Sequence, residues 1–260
     1  MRSNRGMMIA ALMLAAGVIG AVAPTSRAPR EATGAAGATS QAPEQAAGDA
    51  ELIARADAAR TWGSDPSLPT IDEFVDMACS DCADFHMERG DSLLSRIVAG
   101  GRANYVVRIY PIPRLMRGYH AAEALLTAGA VGGQVAFNGM LSLLLSDQQT
   151  WADEADPRET FTGYAGLLDL PVETFRELLD RDAVAPLILS DFVRGQAVGV
   201  AGTPTFVFNP PGEYGGAHKF YGNQPLAMFE AYLQRVGGAG TAGEFARARA
   251  PGSGGQSTPR

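Results

Sequence analysis

The chain has 260 residues, 46% of them apolar, and carries 21 basic against 28 acidic side chains for a net charge of −7. This length and apolar content allow one domain of moderate size or two small ones, with ample material for a packed core. The negative balance argues against nucleic acid or an anionic membrane surface as the main partner, and the arginines are scattered rather than gathered into a phosphate-binding patch.

In chain order, Arg2 and Arg5 precede an apolar stretch from Met7 to Ala23, which is followed by Pro24, Arg27 and Arg30. A charged start and a hydrophobic middle have the form of an export signal. The stretch falls slightly short of the ~20 apolar residues that cross a bilayer comfortably. Residues 1–23 therefore read as a cleaved signal peptide or as an N-terminal membrane anchor. Residues 24–50, dominated by small and polar side chains without an aromatic group, cannot bury enough apolar area to offset their ordering entropy and are expected to form a disordered linker. The Gly-, Ala- and Arg-rich residues 237–260 are expected to form a disordered tail. The folded part then runs from Glu51 to Val236.

Within it, Glu51 to Trp62 has the pattern of a short amphipathic helix stopped by Gly63, Asp65 and Pro66. Thr70 to Met77 reads as a strand and leads into Cys79-Ser80-Asp81-Cys82. From Ser80 a helix is expected, with Cys82, Phe85, Arg89, Leu93 and Ile97 at three- and four-residue spacing, Gly90 as a kink and Gly100-Gly101 as the stop. Tyr105 to Tyr110, β-branched and aromatic, is the clearest strand and is ended by Pro111 and Pro113. Residues 119–196 contain no convincing strand and read as helices over 119–129, 132–146, 157–168, 171–181 and 184–196. Thr205 to Asn209 and His218 to Tyr221 then form an antiparallel pair across Pro210-Pro211-Gly212, and Pro225 starts a last helix. The order is that of an α/β fold with an all-helical insertion.

Cys79 and Cys82 are the only cysteines. A Cys-x-x-Cys that ends an apolar strand and opens a helix is the sequence form of a thiol–disulfide redox site. The first sulfur lies beside unsatisfied N–H groups and the positive end of the helix dipole, which favour its thiolate; Cys79 is then the attacking sulfur and Cys82 the resolving one. A purely structural disulfide would gain little from so short a loop. A metal site formed by Cys79, Cys82 and His86 on one helical face lacks an evident fourth ligand, and haem attachment would need histidine where Ala83 stands. His86 reads as a polar residue on the helix flank, against the alternative of a catalytic base. Glu73 and Asp76 precede the pair and are candidates for proton transfer from Cys82, against the alternative of solvent-facing carboxylates at a strand edge.

Glu73-Phe74-x-Asp76-x-x-Cys79-x-x-Cys82, together with Val200-Ala201-Gly202-Thr203-Pro204-Thr205-Phe206 and the order of elements, resembles the exported DsbA-like thiol–disulfide oxidoreductases of the thioredoxin-fold superfamily. The resemblance covers about Arg60 to Val236. It implies a thioredoxin fold over 51–236 with the helical insertion, about 119–196, between core strands. It also implies a cis Pro204 facing the cysteines, with Thr203 and Pro204 as the substrate-binding platform. No cofactor is implied beyond the redox-active pair. The implied partners are exported cysteine-containing proteins and a membrane redox partner. The alternative is a non-enzymatic thioredoxin-like subunit docked on a membrane protein complex. Ser80-Asp81 departs from the family's usual dipeptide: an aspartate there repels a nearby thiolate, so Asp81 is expected to raise the pKa of Cys79 relative to a histidine-bearing relative and to make the protein a milder oxidant. The direction of reaction, oxidation against reduction or isomerisation, stays open.

Overall fold

The computed structural model describes residues 41–112, 116–215 and 218–247. The proposed signal or anchor, most of the linker and the last part of the tail lie outside them. Among the described residues five strands form one sheet, β1 (Thr61–Trp62), β2 (Thr70–Val75), β3 (Asn104–Ile109), β4 (Thr205–Asn209) and β5 (His218–Tyr221), in the order β1-β3-β2-β4-β5. The pair β2/β3 is parallel, and the other neighbours are antiparallel.

The parallel pair needs a crossover. Helix α2, residues 80–98, supplies it, alternating α-helical turns (Ser80–Phe85, Asp91–Leu93) with π-helical ones (His86–Gly90, Leu94–Val98). Gly90 keeps ordinary helical angles, φ −52 and ψ −53, so the irregularity is a widening of the helix and not a kink at glycine. The second crossover, from β3 to β4, contains the insertion: α3 (Met116–Ser146), α4 (Gln148–Trp151), α5 (Arg158–Leu167), α6 (Val172–Asp180) and α7 (Ala185–Ala197). The two helices expected over 119–146 are the two limbs of α3, divided at Gly133, whose φ of 70 and ψ of −162 lie outside helical space. By length and composition α3 could cross a bilayer, its most apolar 18 residues having a mean hydropathy of 1.4, but half of that stretch is buried. Leu125, Leu126, Phe137, Met140 and Leu144 are among the side chains it gives to the core.

Strand alternation sorts the side chains onto two faces. Ile71, Glu73 and Val75 of β2 share one face with Tyr105, Val107, Phe206 and Phe208, and α2 and the last helix, α8 (Leu226–Arg247), cover it. There Phe85 meets Phe206 at 4.6 Å between ring centres, and Phe206 meets Phe229 at 4.7 Å. Aromatic pairs at such spacing contribute about 0.5–1.5 kcal/mol each beyond area burial, which anchors the cysteine helix to the sheet. The other face carries Asp72, Phe74 and Arg108 under α7. Arg108 and Arg194 bind the enclosed Asp72 carboxylate at 2.9 and 3.0 Å, and Asn209 donates to it at 2.9 Å. The helix comes close here because residue 195 is glycine; a Cβ at that position would lie 2.5 Å from the Tyr110 ring.

The ends differ from the expectation. Helix α1 (Gln41–Ala59) begins ten residues before Glu51 and takes up the last part of the expected linker, and α8 runs past Val236 to Arg247. Ala, Gln and Glu, which dominate residues 41–50, are good helix formers and extend the first helix toward the N-terminus; the glycine-rich residues 237–247 have no such propensity, and nothing in their sequence explains the extension of α8. Thr61–Trp62, expected as the last turn of the first helix, instead pairs with Tyr105 and Val106 as an edge strand, as suits β-branched and aromatic residues.

Candidate active site

After Val75 the chain leaves the sheet through a turn built on Asp76. Its Oδ1 accepts the Ala78 N–H at 2.9 Å and its Oδ2 the Ile112 N–H at 2.7 Å. An aspartate that binds the amide two residues on mimics a backbone turn. Cys79 N–H then donates to the Asp76 carbonyl at 3.1 Å, and the Cys79 carbonyl accepts the first helical hydrogen bond, from Ala83, at 3.2 Å. With φ −88 and ψ 121, Cys79 is the N-cap of α2. Its sulfur occupies the place where the helix has unsatisfied N–H groups. The turn is braced from the insertion: Gln148 Nε2 donates to the Met77 carbonyl at 2.7 Å and to that of Cys79 at 3.0 Å.

Facing this turn, the Thr203–Pro204 peptide bond is cis. The Cys79 thiol donates to the Thr203 carbonyl at 3.3 Å. The loop is held on both sides, by the Gly222 N–H on the Pro204 carbonyl at 2.8 Å and by the Thr205 hydroxyl on the Gly202 carbonyl at 2.5 Å.

The two sulfurs sit in contrasting surroundings. Cys79 is half-buried and Cys82 is buried. The Cys79 pKa is lowered to about 6, chiefly by the hydrogen bond from the Cys82 thiol, with the Thr203 side chain and the N–H groups of Cys82 and Asp81 adding to it against the opposing effect of burial. Cys82 is pushed up by burial and by the charges of Cys79 and Glu73. One sulfur is thus poised as a nucleophile near neutrality while its neighbour holds its proton.

Beneath Cys82 lies Glu73, 0% exposed. The Tyr105 hydroxyl donates to its Oε2, and His86 Nε2 lies 3.1 Å from its Oε1. Burial, followed by the Glu73 charge, raises the Tyr105 pKa, so the hydroxyl keeps its proton. Neither Glu73 nor Asp76 is the solvent-facing carboxylate that was one alternative: Asp76 is 1% exposed, and burial raises its pKa against the lowering by its two amide bonds. Ser80 and Asp81 are exposed.

Cys79, Cys82, Glu73, Thr203 and Pro204 therefore converge where α2 leaves the sheet, Asp76 shapes the turn beneath them, and Asp81 faces solvent. Gln148 had no sequence signal, since one of two adjacent glutamines beyond a long helix looks like any surface residue. His86, read from the sequence as a polar residue on the helix flank, instead turns its ring toward the buried Glu73. Among the described residues, no group of three His, Cys, Asp or Glu side chains is placed to hold a metal ion.

The thioredoxin family model matches residues 55–221, well over half of the chain. A protein of Rickettsia prowazekii provisionally named a protein-disulfide oxidoreductase is 24% identical over 148 residues, 56% of this chain and 53% of its own length. Its counterpart in Rickettsia conorii is 24% identical over 149 residues, 56% of this chain and 52% of its own. The chain thus spans about half the length of the curated relatives it matches. Among solved structures, α-DsbA1 of Wolbachia pipientis superposes with a TM-score of 0.59 at 17% identity over 71% of this chain and 94% of that one. DsbA of Chlamydia trachomatis superposes with a TM-score of 0.56 at 17% identity over 70% and 91%. These likenesses concern the fold. The chain belongs to the thioredoxin family, and its fold is the DsbA-like form with a helical insertion.

Proposed function

We propose that this chain is an exported protein thiol–disulfide oxidoreductase that exchanges a Cys79–Cys82 disulfide with cysteines of other exported proteins. The observation that carries the reading is the pairing of a half-buried Cys79, its pKa lowered to about 6 at the N-terminus of α2, with an enclosed Cys82 that retains its proton. Export rests on Arg2, Arg5 and the apolar stretch that follows.

In the oxidising direction a substrate thiolate attacks Cys79 Sγ of the disulfide. The Cys79–Cys82 bond breaks, Cys82 leaves as a thiolate and takes up a proton, and a mixed disulfide joins Cys79 to the substrate. A second substrate thiolate then attacks the substrate sulfur and releases Cys79 as its stabilised thiolate; two electrons have passed to the protein. In the reducing direction every step runs backward. Thr203 and Pro204 form the platform on which the substrate backbone lies, since the Thr203 carbonyl that receives the Cys79 thiol is free to pair with an extended chain once the sulfur is engaged. Of the two carboxylates, Glu73 serves proton transfer at Cys82, while Asp76, with both oxygens held by amides, positions the turn. Asp81 tunes Cys79. No bound cofactor is required, because the cysteine pair is itself the redox group. A membrane redox partner restores it after each cycle.

Insulin reduction and the reactivation of scrambled ribonuclease test this reading. Activity in either assay, lost in Cys79→Ser, is the expected result. Absence of both activities, together with co-purification in a stoichiometric complex, would instead establish the docked, non-enzymatic subunit.

A further inference from the structure

The Glu73 carboxyl has a second neighbour that the exchange chemistry leaves unused. His86 follows Cys82 by one turn of α2, at the start of the π-helical turn His86–Gly90. Its Nε2 stands 3.1 Å from Glu73 Oε1, yet both atoms are buried and neither makes a well-aligned hydrogen bond. The other side of the ring faces residue 90, where a Cβ would lie 3.5 Å from His86 Nδ1. Beyond it, between α2 and α3, is a cavity of about 140 Å³ walled in part by His86, Gly90, Tyr105, Asn138 and Ser142. A water molecule needs roughly 10–15 Å³ of such space and two to four polar partners; the amide of Asn138, the hydroxyl of Ser142 and the imidazole supply them. His86 therefore stands between an enclosed carboxyl and a space roomy and polar enough to take water.

We propose that His86 carries the proton between Glu73 and this cavity, so that the proton of Cys82 is exchanged with solvent behind the active-site helix and away from the substrate face. The proposal rests on the redox reading above. In the closing step, the Cys82 thiol gives its proton to the Glu73 carboxylate, and the thiolate attacks Cys79 Sγ of a mixed disulfide. The Cys79–Cys82 bond forms, the partner sulfur leaves as a thiolate, and the pair gives it two electrons. Glu73 then passes the proton to His86 Nε2, and the ring releases one from Nδ1 to cavity water. When Cys82 is the leaving group, the same path delivers a proton to it. An imidazole suits this passage because it accepts on one nitrogen while donating from the other near neutral pH. The titratable groups facing His86 are Glu73 and Tyr105 from the sheet and Cys82 and Asp91 from α2; the polar groups that α3 contributes to the cavity wall, Asn138 and Ser142, do not titrate.

The test is stopped-flow reaction of the reduced full chain with glutathione disulfide across neutral pH, in the parent, His86→Ala and His86→Gln. It resolves formation of the mixed disulfide at Cys79 from the later, first-order closure by Cys82. Both variants are expected to form the mixed disulfide at the parental rate and to close it about ten- to a hundredfold more slowly, as for loss of a general acid–base group. Added imidazole should restore closure in His86→Ala, which has room for it, and leave His86→Gln slow. Closure in His86→Gln at the parental rate, or a defect in His86→Ala that imidazole leaves untouched, overturns the relay, because a merely structural histidine would behave so. A parent that forms no mixed disulfide removes the redox reading itself; a parent that exchanges normally, with variants that match it, removes the relay alone.

Discussion

At the scale of single residues, the site works by driving two identical side chains apart. A free cysteine titrates near ~8.5, whereas Cys79 lies at about 6 because the Cys82 thiol, the Thr203 side chain and helix-terminal N–H groups all favour its anion. Cys82, enclosed and beside negative charge, moves the other way. The rate of Cys79 alkylation by a small electrophile should therefore rise through a midpoint near 6 and be level above neutrality, and Cys82 should stay unmodified in the folded chain. Asp81 then gives a signed prediction. Its exposed carboxylate adds negative charge near the thiolate, so Asp81→His should lower that midpoint and, by stabilising the reduced form, raise the reduction potential. Titration in glutathione buffers measures this, and an unchanged or lower potential would show that the dipeptide does not tune this site.

At the scale of elements, the geometry of Cys79 depends on a brace from outside the thioredoxin core. Gln148, in the short helix α4, donates one N–H₂ group to the carbonyls of both Met77 and Cys79. These carbonyls belong to the turn that sets Cys79 at its cap position. Gln148→Ala leaves both without that donor, which should cost about 1 kcal/mol of stability and raise the alkylation midpoint of Cys79 as its sulfur moves off the helix axis. A thermal midpoint lowered by a few degrees with an unshifted alkylation profile would mean that the brace serves stability alone. The same residue shows what kind of feature a sequence conceals. Strands β4 and β5 were legible to the residue, because β4 alternates aromatic and β-branched side chains, β5 ends in Phe220-Tyr221, and the Pro210-Pro211-Gly212 turn between them leaves few alternatives. The Cys-x-x-Cys helix was legible because its chemistry is local, whereas the cis Thr203–Pro204 bond came from the family resemblance alone. The Gln148 brace, which spans 69 and 71 positions, and the His86–Glu73 approach were not legible. Each depends on how helices pack against the sheet, and no periodicity in either segment encodes that. The short strand Thr61–Trp62 was hidden for a related reason: its register comes from the exposed edge of β3, while its own two residues continue a helical pattern.

At the scale of the whole molecule, the insertion carries a buried charge site of its own, remote in sequence from the cysteines. Glu123 of α3 is 1% exposed. Burial, followed by its hydrogen bond to and the charge of Asp182, raises its pKa to about 8, and Arg158 opposes the rise only in part. His120 Nδ1 lies 3.2 Å from Glu123 Oε2 and Arg158 4.0 Å from it, so the carboxyl ties together α3, α5 and the connection between α6 and α7. Its folded pKa exceeds the ordinary glutamate value of 4.5. Between these values the unfolded chain has lost the proton that the folded chain still holds. Stability is thus fully present below about 4.5, falls as pH rises, and has lost the whole contribution above about 8. A tenfold difference in proton affinity between the folded and unfolded chain corresponds to about 1.4 kcal/mol, so the loss amounts to up to a few kcal/mol, within reach of urea titration. Glu123→Gln keeps the volume and a hydrogen-bonding amide but cannot ionise; in a Cys79→Ser background, which removes the opposite, rising contribution of the lowered Cys79 pKa, its urea midpoint should hold steady between about pH 5 and pH 8 where that of Cys79→Ser alone declines. A double variant that declines in parallel with Cys79→Ser would assign the pH dependence to other groups. Cys79 titrates within the same window, and the variant Glu123→Gln/Cys79→Ser, compared with Cys79→Ser alone, separates the two contributions because only the glutamate then differs.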